Sequence, residues 1–231
     1  MELTGARTLV VGASGVLGGA LTRALADAGA RLVVTARDPA GLGDVEDLAE
    51  DSLALDLLDA TAAREVVHRA ADRLGGLDLV VVASGVAGFG PADQTPDEVA
   101  EELFAVNTLG PMALLSEAIL TVRDGGALVA VSAILADAPM AGMAAYSASK
   151  AALAAWLTAV RREVRRRKVA VLDVRPPHME TGLADRALHG TAPQLPAGYD
   201  VGAFVAHVIE AIRVDAQEIV WDKDAKDLVL R

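Results

Sequence analysis

The amino-acid sequence predicts an α/β fold in which a doubly wound parallel sheet of about seven strands carries helices on both faces. Three observations lead to this class. Short apolar and β-branched runs alternate with helical patterns along the chain. A glycine-rich turn at residues 12–19 joins the first such strand to the first helix. The length of 231 residues fits one large domain, and no linker or repeat divides residues 1–231.

The first part of the chain alternates strands and helices as far as residue 83. Strands are predicted at residues 8–11, 31–35, 52–55 and 77–83, and helices at residues 20–28 and 60–74. Glycine stops both helices, at Gly29 and at Gly75-Gly76. Apolar residues dominate these strands, as is typical of a parallel sheet covered on both faces.

The second part continues the alternation. Thr95 is predicted to cap the next helix, with Pro96 at its first position and Glu98 completing a capping box. Further helices are predicted at residues 107–122, 144–167 and 201–212, strands at residues 126–132, 169–174 and 218–221, and a loop at residues 182–200. The loop is a candidate lid over a site.

Composition excludes several classes of function. The chain lacks a signal-peptide pattern and any charge-free apolar run of 18 residues, so we expect a cytoplasmic protein with no membrane partner. It has no cysteine, and its four histidines show no metal spacing, so no metal site is expected. A net charge of −11 argues against nucleic acid as a partner. A basic cluster at residues 161–168 is interpreted as a solvated helix end.

The glycine-rich turn has the features of a phosphate-binding site. It reads Gly12-Ala13-Ser14-Gly15-Val16-Leu17-Gly18-Gly19 and lies between a predicted strand and a predicted helix. At such a junction the free N–H groups of a helix N-terminus bind a pyrophosphate, and glycine lets the backbone approach it without a Cβ clash. The alternative interpretation is a tight turn with no ligand.

Tyr146 and Lys150 lie four residues apart on a predicted helix, so they share one face. A nearby ammonium lowers the pKa of a tyrosine from its usual value of about 10. Ser132, at the end of a predicted strand, can hold a carbonyl or alcohol oxygen. Together these groups suit proton transfer to a substrate oxygen. The alternative is a pair that only decorates a helix surface.

The order of these motifs resembles the short-chain dehydrogenase/reductase family, in its shorter single-domain branch with a Rossmann-like fold. After the glycine turn come Asp56, Asn107 and Ser132, then Tyr146-Ser147-Ala148-Ser149-Lys150, then residues 175–181. The resemblance implies a catalytic set formed by Ser132, Tyr146, Lys150 and Asn107. It implies a dinucleotide site formed by Gly12, Ser14, Gly15, Val16, Leu17, Gly18, Arg37, Asp56, Leu57, Ala83, Ser84, Gly85, Tyr146, Lys150, Pro176 and Thr181.

Three segments depart from the family pattern. Val16 takes the place of the middle glycine of the turn, which gives a spacing similar to that of the longer, sugar-nucleotide branch. Residues 83–85 read Ala-Ser-Gly in place of Asn-Ala-Gly. Pro177 replaces a glycine, so it stiffens the loop and removes a backbone donor. A sugar-nucleotide epimerase or dehydratase is therefore an alternative, which the short chain opposes.

The end of the second strand carries the signal for cofactor choice. An acid at this place holds the ribose of a dinucleotide that lacks a 2′-phosphate. Here Ala36 occupies that place and Arg37 follows it. Arginine binds phosphates through charge-assisted hydrogen bonds, so NADP(H) is the preferred cofactor and NAD(H) the alternative.

These inferences predict an oxidoreductase that transfers hydride between NADPH and a small-molecule carbonyl or secondary alcohol. The substrate is expected to be apolar, because apolar residues border the predicted pocket: Phe89, Ile134, Met140, Met143 and Leu183. By resemblance, the helices at residues 107–122 and 144–160 pair across a two-fold axis in a homodimer or homotetramer. The alternative function is a regulator or scaffold that binds NADP(H) without turnover.

Overall fold

The computed structural model describes residues 1–231 and contains one central sheet of eight strands in the order β3-β2-β1-β4-β5-β6-β7-β8. The strands are β1 (Arg7–Val11), β2 (Arg31–Ala36), β3 (Asp51–Ala54), β4 (Leu77–Val82), β5 (Val122–Val131), β6 (Ala170–Val174), β7 (Glu218–Asp222) and β8 (Asp227–Leu230). Strands β1 to β7 are parallel, and β8 pairs antiparallel with β7. The strand order reverses between β1 and β4, the place where doubly wound sheets bind ligands.

Helices cover both faces of the sheet. They are α1 (Val16–Asp27), α2 (Ala60–Leu74), α3 (Asp97–Phe104), α4 (Gly110–Thr121), α5 (Ala144–Glu163) and α6 (Val201–Arg213). One core lies between the sheet and α2, α4 and α5, and a second lies between the sheet and α1 and α6. Leu9 belongs to the first core and Val10 to the second, because successive strand residues point to opposite faces. The predicted α/β class is confirmed.

The helical run Asp97–Thr121 is long and apolar enough to cross a membrane by composition alone, with a mean hydropathy of 1.5. Half of its most apolar window is nevertheless buried inside the protein. This burial is typical of a core helix, so the length of the run is weak evidence for a membrane span.

Two elements differ from the predicted pattern. Strand β8 is an eighth strand, which follows a turn of exposed charged residues and carries only four residues of its own. Thr95 does not cap α3: its hydroxyl donates to the carbonyl of Pro91 at 3.0 Å, and Pro96 holds the N-cap position without a side-chain cap. The hydroxyl closes the preceding turn, so it is no longer free for the helix.

The basic cluster that ends α5 is partly structural rather than only solvated. Arg161 donates through Nη2 to the carbonyl of Gln217 at 2.7 Å, and its side chain is 16% exposed. Arg167 donates through Nε to Asp124 at 2.7 Å. These two side chains tie the end of the helix to β5 and to the segment before β7, which a pattern of charges cannot reveal.

A buried carboxylate fastens three strands at the amino end of the sheet. Asp78 of β4 accepts hydrogen bonds from the backbone N–H of Arg7 at 2.8 Å and from its guanidinium at 2.9 Å. Arg123 of β5 donates to the same carboxylate. The side chain of Asp78 is 8% exposed, and hydrogen bonds from Arg7 hold its pKa well below the usual range.

We expect Asp78→Asn to lower the free energy of unfolding by roughly 1.5–3 kcal/mol at neutral pH, because charge-assisted hydrogen bonds to the two arginines are lost. A depressed pKa in the folded state stabilises above the unfolded pKa of about 4, and this stability is lost as the pH falls towards the folded value. The difference in free energy of unfolding between variant and wild type should therefore become smaller as the pH falls. Urea unfolding between pH 7 and pH 3 measures this difference. Asp124→Asn, at an exposed ion pair, is the control and should change stability by less than about 1 kcal/mol.

Candidate active site

The carboxyl ends of β1, β4, β5 and β6 meet the start of α5 at one edge of the sheet. The glycine turn follows β1, residues 83–90 follow β4, and Ser132 follows β5. This edge therefore brings together the glycine turn and the polar residues that the sequence singles out.

Two glycines of the turn are required by close approach. Gly12 has a φ of +87°, and a Cβ there would collide with Ser84 Oγ. A Cβ on Gly18 would collide with the carbonyl oxygen of Gly12. Gly12 and Ala13 both donate to the carbonyl of Thr35, at 3.1 and 2.9 Å, which fastens the turn to β2. The spacing therefore serves the packing of the turn as well as a ligand.

The start of α1 leaves backbone donors free for an anion. Gly15 is the N-cap residue, and no side chain caps the helix. No acidic residue lies in the first turn, and the N–H groups of Val16, Leu17 and Gly18 have no backbone acceptor. Because a helix N-terminus with free N–H groups favours negative charge, this turn fits a pyrophosphate. The side chain of Val16 lies beside these N–H groups, and Val16 is 47% exposed. It therefore narrows the space through which an anion would reach them.

The residues expected to border an adenosine lie at the ends of β2 and β3. Ala36 is buried, and Arg37 is exposed and makes no hydrogen bond or ion pair in the protein. Asp38 accepts from the N–H of Ala40 at 3.0 Å, so its carboxylate caps the following turn. Asp56 is exposed, and its carboxylate accepts from the N–H of Leu58 at 3.0 Å. The buried Leu57 packs so closely on α4 that a Cβ on Gly110 would collide with its carbonyl oxygen.

Asn107 lies fully buried in a single π-helical turn, Ala105–Leu109, between α3 and α4. Its amide accepts from the N–H of Val86 and donates to the carbonyl of Val86, both at 3.0 Å. It also donates to Ser149 Oγ of α5 at 3.1 Å. A π-turn shifts the helix by one residue, which is a common device at functional sites. Asn107 thereby links the segment after β4 to the helix of Tyr146 and Lys150.

Lys150 lies next to Asn107 across Gly85. A Cβ on Gly85 would lie 3.2 Å from both Asn107 Oδ1 and Lys150 Nζ, so the glycine allows the two side chains to converge. Lys150 is 4% exposed and donates through Nζ to the carbonyl of Val131 at 3.1 Å. Burial lowers the pKa of Lys150 to about 8, and the negative charge of Asp173 opposes this shift.

The phenol of Tyr146 differs from the expectation that Lys150 lowers its pKa. Burial raises the pKa of Tyr146 to about 12, and no lysine interaction offsets that burial. The phenol oxygen makes no hydrogen bond within the protein, and the Lys150 ammonium donates to the carbonyl of Val131. A shared helix face therefore places Tyr146 and Lys150 near one another without joining their charges.

Ser132 is bound to a carboxylate that the sequence analysis misses. Its hydroxyl donates to Asp173 Oδ1, and Asp173 is completely buried at the end of β6. Arg175 donates through Nε to Asp173 Oδ2 at 2.7 Å. An acidic residue inside an otherwise apolar strand is the signal that could have identified this group, because buried charges are paired.

An apolar cluster packs around Tyr146. Phe89, Met143 and Tyr146 are buried in it, and Ile134 and Leu183 pack against them. Met140, predicted to border the same pocket, lies outside this cluster and is 36% exposed.

The loop at residues 182–200 lies over this cluster. Leu188 donates to the carbonyl of Ala87 at 2.8 Å, and Phe89 donates to the carbonyl of His189 at 2.9 Å. Upstream of the loop, the carbonyl of Pro176 accepts from Ile134 at 2.9 Å, and Thr181 donates to Met179 at 2.8 Å. The loop therefore covers the apolar cluster and is held there by backbone hydrogen bonds at its centre.

The chain belongs to the short-chain dehydrogenase family. The family model described as short chain dehydrogenase matches residues 6–191, most of the chain. Members of this family are oxidoreductases that act on alcohol and carbonyl groups with NAD(P), and this protein is an oxidoreductase of that kind.

Individual relatives agree with the family assignment. An uncharacterised oxidoreductase of Methylorubrum extorquens is 31% identical over 211 residues, which cover 85% of each chain. A cyclic-di-GMP-binding biofilm dispersal mediator protein of Escherichia coli is 31% identical over 180 residues, 77% of this chain and 75% of that one. A short-chain dehydrogenase of Burkholderia cenocepacia, solved in complex with NADP, is 28% identical, with a TM-score of 0.80 over 92% of each chain.

Proposed function

We propose that this protein is an NADPH-preferring reductase of an apolar carbonyl compound, and that Tyr146, Ser132, Lys150 and Asn107 form its catalytic set. One observation carries the proposal: all four side chains are buried at a single sheet edge beside a turn with free N–H groups. Tyr146 packs in the same cluster as Ala133, the residue that follows Ser132. A binding protein has no need to bury these four groups together.

The cofactor proposal rests on the residues around the adenosine. The free N–H groups at the start of α1 suit the pyrophosphate, and the unpaired Arg37 suits a 2′-phosphate. Ala36 presents no acid that would repel that phosphate. The NADP complex of the similar Burkholderia structure supports the same cofactor. Residues 83–85 and Pro176 with Thr181 are proposed to border the nicotinamide half.

The side chains of this protein supply the proton in the reaction. The reduced dinucleotide, when bound, supplies a hydride to the carbonyl carbon. Tyr146 donates its phenol proton to the carbonyl oxygen, and Ser132 hydrogen-bonds the same oxygen. The raised pKa keeps Tyr146 protonated at neutral pH, the form that reduction requires. The phenolate that remains regains a proton from solvent, and we propose that Asn107 and Lys150 support this relay.

Lys150 must act on Tyr146 in the loaded enzyme. Its ammonium, with a pKa of about 8, is mostly charged at neutral pH and bonds the carbonyl of Val131. We infer that the ammonium turns from this carbonyl towards the phenol and the nicotinamide ribose, where its charge stabilises the phenolate. The reverse reaction, oxidation of an alcohol, uses the same groups with Tyr146 as the base.

The regulator alternative has one observation in its favour. The relative from Escherichia coli is named a cyclic-di-GMP-binding biofilm dispersal mediator protein, so a protein similar to this chain carries a name for binding rather than for turnover. The epimerase alternative has only the glycine spacing in its favour, and the matched family model is a dehydrogenase. A screen of carbonyl compounds with NADPH and NADH separates the classes, since tight NADPH binding without turnover of any compound would favour the regulator.

The proposed assembly is a cytoplasmic homodimer or homotetramer. Leu109 and Leu120 on the α4 side are 58% and 75% exposed, and Ala148 and Ala155 of α5 are exposed on the adjacent helix. The large exposed apolar residues favour burial against a second copy of the chain, and the small residues beside them let two helices approach closely across a two-fold axis.

We expect Tyr146→Phe to lower turnover by about 10²–10⁴-fold, because the proton donor is lost while the ring still packs. The dissociation constant for NADPH, measured by fluorescence, should stay within about twofold, since the ring is retained. Tyr199→Phe is a matched control: it removes the only other phenol of the chain, which bonds Asp227, and should leave turnover unchanged. Turnover by Tyr146→Phe within tenfold of wild type would contradict the assigned mechanism.

We expect Arg37→Ala to weaken NADPH binding more than about tenfold and to leave NADH binding nearly unchanged, because a hydrogen-bonded charge on the 2′-phosphate is lost. Ala36→Asp should shift the preference towards NADH by adding a charge that repels the phosphate. The measurement is kcat/KM with each cofactor. Arg69→Ala, an exposed arginine on α2, controls for net charge and should not change the ratio. If Arg37→Ala leaves the ratio of kcat/KM with NADPH to kcat/KM with NADH unchanged, the assignment of Arg37 to the 2′-phosphate is refuted.

We expect light scattering to give two or four times the chain mass of 23.8 kDa. Leu120→Glu should shift the protein towards the monomer, because it places a charge in the proposed helical interface. Val214→Glu, at an exposed apolar residue after α6, is the control and should keep the oligomer. A monomeric wild type at working concentration would remove the proposed assembly.

A further inference from the structure

Asp173 is a buried acid that has no role in the mechanism proposed above. It is the last but one residue of β6 and is completely buried. Its partner across the strands is Ala130 of β5, two residues before Ser132. Because alternate strand residues share a face, Asp173 and Ser132 lie on the same side of the sheet. That side is the one covered by α5, which carries Tyr146 and Lys150.

Each carboxylate oxygen of Asp173 has its own charged or polar partner. Oδ1 accepts the hydroxyl of Ser132, and Oδ2 accepts Nε of Arg175 at 2.7 Å. Arg175 is 11% exposed and also binds Asp137 at 2.9 Å and Glu218 at 3.1 Å. The ammonium of Lys150 and the carboxylate of Glu218 also act on this group through their charges.

We propose that Asp173 is a positioning residue that sets the direction of the Ser132 hydroxyl and so decides whether Ser132 accepts a hydrogen bond from the substrate or donates one to it. The proposal rests on the function proposed above. A hydroxyl has one proton and two lone pairs, so a neighbour that takes the proton leaves only acceptor positions for the substrate.

The two protonation states of Asp173 have opposite effects. The carboxylate only accepts, so it holds the Ser132 proton, and Ser132 then presents lone pairs that suit the O–H of an alcohol on binding, before that O–H turns to Tyr146 for oxidation. In the protonated state, Arg175 keeps Oδ2 as an acceptor, so the proton lies on Oδ1 and is donated to Ser132 Oγ. The Ser132 proton is then free of Asp173 and is shared between the carbonyl of Val174, 3.3 Å from Oγ, and the substrate. When the proton turns to the substrate, Ser132 and Tyr146 together give a carbonyl oxygen two donors.

The balance of charges sets where this change occurs. Burial raises the pKa of Asp173, whereas the Ser132 hydrogen bond and the charge of Arg175 oppose the rise. Below this pKa the site favours the carbonyl, and above it the site favours the alcohol. The binding of the two forms of the substrate should therefore depend on pH in opposite directions.

The first test uses Asp173→Asn with a carbonyl substrate and its alcohol. The amide oxygen remains with Arg175 and the NH₂ group faces Ser132, so the variant reproduces the protonated acid at every pH. We expect KM for the alcohol to rise about tenfold or more, because a charge-assisted hydrogen bond sets the acceptor geometry of Ser132. We expect KM for the carbonyl to stay the same or fall, kcat to change less than the alcohol KM, and the opposite pH trends to disappear.

Asp137→Asn is the matched control. It removes the same charge from Arg175 but does not contact Ser132, and Asp137 is 53% exposed. Its two KM values should keep the wild-type dependence on pH. If Asp173→Asn and Asp137→Asn change the alcohol and carbonyl KM alike, the positioning role is refuted, and Asp173 only supports the fold.

The second test needs neither turnover nor cofactor. The carboxyl ¹³C resonance of Asp173 is titrated by NMR in the wild type and in Ser132→Ala. Loss of the hydroxyl donor should raise the Asp173 pKa by about one unit, since a hydrogen bond to the charged form favours that form. An unchanged titration would overturn the proposal even if Asp173→Asn fails to fold. A wild type that turns over no carbonyl would instead refute the proposed function, so the two failures are distinguishable.

Discussion

The packing at the carboxyl edge of the sheet depends on one hydrogen-bond network, in which the buried side chains of Asn107, Ser132 and Asp173 find partners inside the protein. Asn107 is fully buried and uses both ends of its amide, towards Val86 and Ser149. Ser132 and Asp173 bond one another, and Arg175 neutralises the acid. An unpaired polar group at these depths would cost free energy, so the network fixes the positions of α5, β5 and β6 relative to one another.

The same burial determines the ionisation of the candidate catalytic residues. It disfavours a charge on Tyr146 and on Lys150, which raises one pKa to about 12 and lowers the other to about 8. The two shifts move the pKa values apart, so the neutral form of each side chain is favoured more than it is in water. A buried phenol that keeps its proton, beside a lysine that can approach it, is an arrangement suited to delivering that proton when a substrate oxygen becomes basic.

The glycine turn combines packing and binding requirements in one segment. Gly12 and Gly18 are needed because their neighbours leave no room for a Cβ, which holds whether or not a ligand binds. Val16 is different, because its side chain projects at the start of α1, where the family pattern has glycine. In the complex that we propose, the N–H groups of this first turn hold the pyrophosphate with an apolar side chain beside it, and Arg37 supplies an unpaired cation at the end of β2.

The sequence by itself determined the fold class, because the spacing of apolar residues and glycines is a local property. It can be recognised without knowing which distant residues each segment packs against. The succession of β1 to β7 along the chain, the turn at Gly12 and the shared helix face of Tyr146 and Lys150 all follow from such patterns. Tertiary structure decided what each polar group does. The direction of the Lys150 ammonium, the bond from Ser132 to Asp173 and the use of Thr95 by the preceding turn depend on residues distant in the chain or on competing acceptors. Sequence spacing identifies which side chains lie on the same face of a helix or strand. Whether two of them form a hydrogen bond depends on their separation to within a few tenths of an ångström, and only the packing of the folded chain sets that separation.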